Sequence, residues 1–341
     1  MKRRVNHFRI IPLILAFVLI FTPVLSASAH DALPRLIPVG KAIGLKLSTD
    51  GALIIGLNNI ENGNKSPALD AGLRTGDIIT DIGAEHIDSV EECRDIIADA
   101  AGSQITVRVT RSGEKMQFEV TPGKASDGHG ELGVWLRDGI AGIGTVTFVN
   151  PANGQFGALG HSVSDSETGT LLPIKEGTIM PAEVTTVVKG EAGAPGQLQA
   201  NFDPLTVLGN LLTNCDFGVF GTLKPDNALS VGQTVETASR SEIKTGPATV
   251  RVNVTGGEVR DYEIEVTRVY PSGEDRDMLL TVTDPELIAI TGGIVQGMSG
   301  APILQNGKLI GAVTHVLVSE PLKGYGVSIE RMLGSNNSYF K

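Results

Sequence analysis

The chain is short of several things, and each shortage excludes a class of protein. It has two cysteines, Cys93 and Cys215, in 341 residues. Two cannot build a disulfide framework, and neither stands in a metal-ligand spacing, so they read as buried thiols. Cys93 falls in an amphipathic helical pattern, and Cys215, in TNCDFG, lacks a glycine elbow, so neither is a candidate nucleophile. Aromatic residues are only 4% while glycine numbers 42, which suits a turn-rich β protein with small core side chains. Basic residues are outnumbered, 28 Lys and Arg against 38 Asp and Glu. Four of those basic residues precede residue 30 and no acidic residue does, so the remainder is more acidic than the overall net charge of −10. That argues against nucleic acid as a partner and against electrostatic docking to anionic lipid. Beyond residue 30 no apolar run is long enough to span a membrane.

The one long apolar run lies at the start. Lys2, Arg3, Arg4 and Arg9 precede Ile10–Leu25, and SASAH follows with Ala27 and Ala29 at small-residue cleavage positions. This layout predicts a secretory signal over residues 1–29, cut after Ala29. An uncleaved N-terminal anchor, with membrane association through it, is the alternative. Either reading places the bulk of the chain outside the cytoplasm.

Residues 30–40 read as a linker. From Lys41 to Pro122 the pattern is mixed: AIGLKLS and GALIIGL as two short strands, a helix at Pro67–Ala71, a strand from Asp77 to Ile82 and a turn at Gly83. Ser89 with Glu92 three residues on predicts a capped helix carrying Val90, Cys93, Ile96 and Ile97 on one face. QITVRVTRSGEKMQFEVTP predicts a hairpin around Ser112-Gly113. The stretch SPALDAGLRTGDIITDIG, Ser66–Gly83, resembles a PDZ domain of the bacterial protease type. That resemblance implies peptide capture beside a sheet edge, with Ile43, Gly44 and Leu45 in the carboxylate loop and Val90 opening the groove helix.

GKASDGHGEL, 123–132, reads as a polar linker. From residue 133 to 341 short β-branched or alternating strands separated by glycine turns predict an all-β barrel or sandwich domain. The fold expected is thus mainly β: an α+β PDZ domain at 41–122, then a chymotrypsin-like all-β peptidase domain.

Within it stands QGMSGAPI. Glycines at 297 and 300 bring the backbone round Ser299 without Cβ clashes, and a hairpin follows with Asn306-Gly307 as its turn. A serine so placed resembles the nucleophile loop of chymotrypsin-type proteases, with the amides of Gly297 and Ser299 as oxyanion hole. The base must be a histidine. His7 and His30 belong to the signal region, His86 to the PDZ segment and His129 to the linker. His315 reads as a packed or edge residue of the returning strand. His161, in GALGHSVSDSETG at a strand end, is the candidate. For the carboxylate that orients it, Asp165, Asp203, Asp216 and Asp284 stay open on the residues alone.

LGVWLRDGIAGIGTVTF, GALGHSVSDSETG, TVTDPELIAITGGIVQGMSGAPILQNGKLIGAVTHVLV and GYGVSIERML resemble the stage IV sporulation protein B family of serine peptidases. The resemblance runs over nearly the whole chain. It implies a His161, Asp284, Ser299 triad, no cofactor and no metal. It also implies export from the forespore into the space facing the mother cell. There the protein would cleave itself and a membrane-bound regulator, triggering intramembrane processing of pro-sigma-K. Ala301 departs from the family's usual serine, and the chain reads as shorter before the PDZ segment, where the family's N-terminal self-processing sites lie. The rival readings are a non-catalytic PDZ scaffold and a general extracytoplasmic quality-control protease.

Overall fold

The computed structural model describes residues 33–334 except 62, 226 and 273–275. The expected signal, with His7 and His30, lies outside the described residues. Among the described residues no helix is long and apolar enough to cross a membrane.

Two long strands organise the first half. Strand β1 is Ala42–Leu57, and helix α1 is Pro67–Asp70. Strand β2 is Ile78–Ile82, helix α2 Val90–Asp99, and the pair β3 (Ile105–Arg111) and β4 (Glu114–Val120) follows. Strand β5 is Val134–Val149, β6 Gln155–Ala158, β7 Glu176–Val188 and β8 Gln197–Phe202. Strands β9 (Gly209–Cys215) and β10 (Gly218–Leu223) complete a ring in the order β5-β6-β10-β9-β7-β1, closed by β1 pairing back to β5. Inside it Leu45, Leu47, Val146, Phe156, Ile179 and Val219 pack together.

The second ring contains β11 (Gly246–Thr255), β12 (Glu258–Val269) and β13 (Met278–Val282). After helix α3 (Pro285–Thr291) come β14 (Pro302–Gln305), β15 (Lys308–Val316) and β16 (Lys323–Ser328). The order β15-β14-β11-β12-β13-β16 closes through β15 and β16. Val252, Ile264, Val266, Leu280, Met298 and Ile303 fill it. Helix α4 (Ile329–Gly334) covers the seam between the rings, where Phe148, Phe220, Leu309, Ala312 and Met332 are buried together. The double all-β barrel and the α+β segment are the fold class expected. The turns hold too: Ser112-Gly113 and Asn306-Gly307 have positive φ at both residues, as two-residue hairpin loops demand.

The segment boundary expected at Lys41 needs correcting. AIGLKLS and GALIIGL are one strand, with a register shift between Ser48 and Leu53 near Gly51, whose φ is 118°. Its first part, Ala42–Ser48, belongs to the first barrel. Its second part pairs with β2, which leads to β3 and β4. The PDZ-like unit is therefore inserted between two barrel strands rather than strung before them. It has its own core of Ile54, Leu73, Ile79, Cys93, Ile97 and Val107. Lys175, just before β7, bonds Asp88 and Asp50 and ties the unit to the barrel. Residues 123–132 are not a free linker. Gly123–Lys124 pairs with Gly130–Glu131, and Ser126 bonds Glu61 at 2.6 Å.

Candidate active site

Helix α3 ends at Gly292 in the left-handed conformation, and the chain runs through buried Ile294 and Val295 to Gly297. Two glycines with φ of 97° and 94° flank the turn at Ser299, and the fully buried Met298 anchors it. Gly300 permits no side chain, since a Cβ there would lie 2.0 Å from the Thr145 carbonyl oxygen.

Strand β5 clamps this turn. The Thr145 hydroxyl donates to the Gly297 carbonyl at 2.8 Å, and the Thr147 hydroxyl to the Gly300 carbonyl at 2.7 Å. The Thr145 N–H donates to the Ser299 carbonyl at 2.9 Å. With the loop's carbonyls engaged, the N–H groups of Gly297 and Ser299 donate to no other described residue. A pair of preorganised amide donors beside a hydroxyl is the arrangement that receives a developing oxyanion. Sequence reasoning missed the two threonines, which TVTF presents at alternate positions of an ordinary strand.

His161 approaches from the first barrel. After β6 the chain turns sharply through Leu159 and Gly160, both with φ near 70°. A left-handed leucine is uncommon and marks a position held by its surroundings. Gly160 fits against Thr314, Ala312 and Val327 of the second barrel. The Nδ1 of His161 lies 2.8 Å from the Ser162 carbonyl oxygen. A carbonyl only accepts, so Nδ1 carries the proton and Nε2 keeps its lone pair in the neutral ring. Burial pushes the imidazole's pKa below 6.5, against the Ser162 carbonyl, which favours the charged form.

His315 was expected to be a packing residue. Its ring lies 4.5 Å from that of His161, centroid to centroid, tilted by 34°. Burial, then the charge of His161, pushes its pKa down to about 4. The Ser299 hydroxyl donates to the carbonyl of the preceding residue, Thr314, at 2.6 Å. Ser299, His161 and His315 thus meet along β15, with the serine hydroxyl bonded to backbone and not to His161. Beyond the histidines opens a cleft of about 600 Å³, lined also by Asp216, Phe217, Arg276 and Tyr325.

The four aspartates separate clearly. Asp284 caps α3: Oδ1 accepts from Glu286 N and Leu287 N at 2.8 and 3.0 Å, and Oδ2 from Glu263 N at 3.2 Å. Neither oxygen bonds His161, so the contact implied by the family resemblance is absent from this structure. Asp165 is buried and bonds Arg137, with Glu167 N and Thr168 N on its other oxygen. Asp203 accepts from Leu205 N in an exposed turn. Asp216, in the turn between β9 and β10, faces the cleft.

The PDZ groove residues are redistributed. Ile43, Gly44 and Leu45 lie inside β1, bonded to Gly144, Ile143 and Gly142 on one side and Pro181, Met180 and Ile179 on the other. With both edges paired they cannot form a carboxylate loop. Val90 does open α2, and its N–H donates to Asp138 at 3.0 Å. The edge facing α2 is instead the start of β5. Among the described residues Val134, Trp135 and Leu136 pair with β1 on one side only, and they border a cleft of about 700 Å³ with Arg94, Asp95 and Ile97.

Parts of the chain match known protein families. Residues 128–333 match the model of the SpoIVB peptidase S55 family, and residues 60–111 match a PDZ domain model. No curated protein sequence matches. Among solved structures, the PDZ domain of an SdrC-like protein from Listeria monocytogenes is 22% identical. It covers 26% of this chain and 90% of its own, with a TM-score of 0.22. Two inactive-form crystal structures of the Rv3671c protease of M. tuberculosis are 14% identical and cover 59% of this chain. They span 85% and 84% of their own, with TM-scores of 0.34 and 0.31.

Proposed function

The chain belongs to the SpoIVB peptidase S55 family, and we propose that it is a signalling serine endopeptidase working through Ser299 and His161. The observation that carries this reading is the pairing of a glycine-flanked hydroxyl with two backbone amides that donate to no described residue, near a histidine whose Nε2 bonds no described residue. In the reaction Ser299 Oγ attacks the peptide carbonyl carbon while its proton passes to His161 Nε2. The carbonyl oxygen takes up charge facing Gly297 N and Ser299 N. The imidazolium then gives its proton to the departing amine, leaving an acyl-enzyme, and water repeats the sequence to release the acid.

Before attack, the Ser299 hydroxyl must leave the Thr314 carbonyl. This supports a protease held in check until substrate enters. The capping role of Asp284 makes it a residue that fixes α3 and the chain leading to Ser299. The family, the signal-like N-terminus and the PDZ-like unit support a place in sporulation. On this reading the protein is exported from the forespore, cleaves itself, and cleaves a membrane-bound regulator so that pro-sigma-K is processed. The unpaired start of β5 beside α2 is the edge we assign to peptide capture.

Intact mass after treatment with a fluorophosphonate tests the chemistry. One adduct is expected on the wild type and none on Ser299→Ala or His161→Ala. A folded wild type that takes no adduct returns the protein to the scaffold reading. In an endospore former with this chain as its only copy, Ser299→Ala should stop pro-sigma-K processing. Continued processing refutes the signalling role.

A further inference from the structure

We propose that the cleft beside the two histidines is a substrate subsite for an acidic side chain, and that Arg276 is the residue that selects it. The inference deepens the peptidase reading and rests on it.

The cleft begins at the reacting groups. Its wall includes His161, His315 and Thr314, whose carbonyl holds the Ser299 hydroxyl. An extended peptide advances about 3.3 Å per residue. One seated on Ser299 therefore places side chains in this cleft within a few residues of the bond that is cut. Arg276, two residues before β13, belongs to the same wall.

The Arg276 side chain is exposed but held. Its guanidinium carbon lies 4.0 Å from the centroid of the Tyr325 ring. Tyr325 belongs to β16, which pairs with β13 on one side and β15 on the other, so the ring is a fixed platform. Stacking uses the flat face of the guanidinium. Its N–H donors lie in the plane, at the edge, and stay available to a partner. Among the described residues no carboxylate bonds Arg276, whereas Arg240 and Arg331 are both spent on the buried Asp277.

The charge of Arg276 also reaches the reacting groups. Burial, then His161, then Arg276 push the His315 pKa down to about 4, so near neutral pH that ring is uncharged. Arg276 and Asp216 are the Asp, Glu, Lys or Arg residues of the cleft wall, and of the two it is Arg276 whose charge His315 feels. A carboxylate entering the cleft meets a stacked guanidinium that can bind both its oxygens. A lysine or arginine entering meets a like charge, and that rejection is half of the specificity.

The probes are acetylated tetrapeptide diphenylphosphonates ending in alanine, with Glu, Gln or Lys placed in turn at each of the three preceding positions. Intact mass follows adduct formation on the full protein, in wild type, Arg276→Gln and Arg276→Glu. Each rate is divided by the same protein's fluorophosphonate rate, which removes any change in the serine itself. At one position the wild type should take the Glu probe about tenfold faster than the Lys probe, with Gln between. Arg276→Gln should bring that ratio close to one, and Arg276→Glu should invert it. A wild type indifferent to charge at all three positions overturns the proposal. So does a preference for Glu that survives in Arg276→Glu. A wild type that takes no fluorophosphonate fails the peptidase reading instead. The His315 ring signal of Ser299→Ala, titrated by NMR with the Glu and Lys probes, then decides the subsite. Tighter binding of Glu that is lost on adding Arg276→Glu supports it, and equal binding of the two overturns it.

Discussion

The clamp on the Ser299 turn makes a quantitative prediction. Thr145 is fully buried, and its hydroxyl supplies the 2.8 Å bond to the Gly297 carbonyl. Thr145→Val keeps the side-chain shape and removes that donor. The backbone bonds of residue 145, to the Ser299 carbonyl and from Leu159 N, survive the change. What is lost is one hydrogen bond, and a buried carbonyl is left without its donor, a cost of about 1–3 kcal/mol. The same loss frees the peptide between the two amides that face the oxyanion. Removing one such donor outright costs a factor of about 10²–10³. Misplacing the pair should therefore slow fluorophosphonate labelling about tenfold or more. Urea unfolding gives the stability, read as a lower midpoint at constant slope. Thr106→Val is the control, because its hydroxyl bonds Glu119 at the surface, and it should change little. If Thr145→Val unfolds at the same midpoint as that control and labels at the wild-type rate, the clamp does not position the turn.

Three further outcomes are expected. Gly300→Ala forces a side chain into a left-handed position 2.0 Å from the Thr145 oxygen, so the labelled fraction should drop to background while circular dichroism shows the second barrel retained. Asp277 is fully buried, bonded to Arg240, Arg331 and the Ser328 N–H, and Asp277→Ala should cost about 3–5 kcal/mol in urea unfolding. Both His161 and His315 have folded pKa values below 6.5, so as pH falls the unfolded chain binds protons the folded chain refuses. Their contribution to stability is thus full above pH 6.5 and is lost as pH falls toward 4. His315→Gln should flatten the midpoint-against-pH curve in that window, and an unchanged slope refutes it.

The local elements were legible because their causes are local. Asn306-Gly307 and Ser112-Gly113 dictate two-residue turns whatever surrounds them. Ser89 before an amphipathic run dictates a helix start, and its hydroxyl does accept from Glu92 N at 3.2 Å. The path of β1 was not legible. An alternating strand states which face is buried but not which strands flank it. Ala42–Ser48 has apolar residues that suit a PDZ sheet and a barrel equally, and the choice is made by β5 and β7 more than a hundred residues along the chain. Gly51 reads as a turn between two strands, and in the structure it only bends one.

The site divides in the same way. Ser299 declared itself because the tight backbone around it needs glycine at fixed positions. The aspartates did not, since four carboxylates of equal chemistry differ only in what lies across space. One signal was present and passed over. Asp284 is followed by Pro285 and Glu286, and an Asp before a proline and an acidic first turn is the signature of a helix N-cap. That pattern gives Asp284 two amides at the head of α3, both on Oδ1, and the carboxylate keeps lone pairs for a further donor. Asp216 sits in the turn joining β9 to β10, and β10 is the strand beside which β6 delivers His161. The six-strand closure that buries Phe156 and Val219 thus sets what lies near the imidazole, and spacing along the chain does not state it.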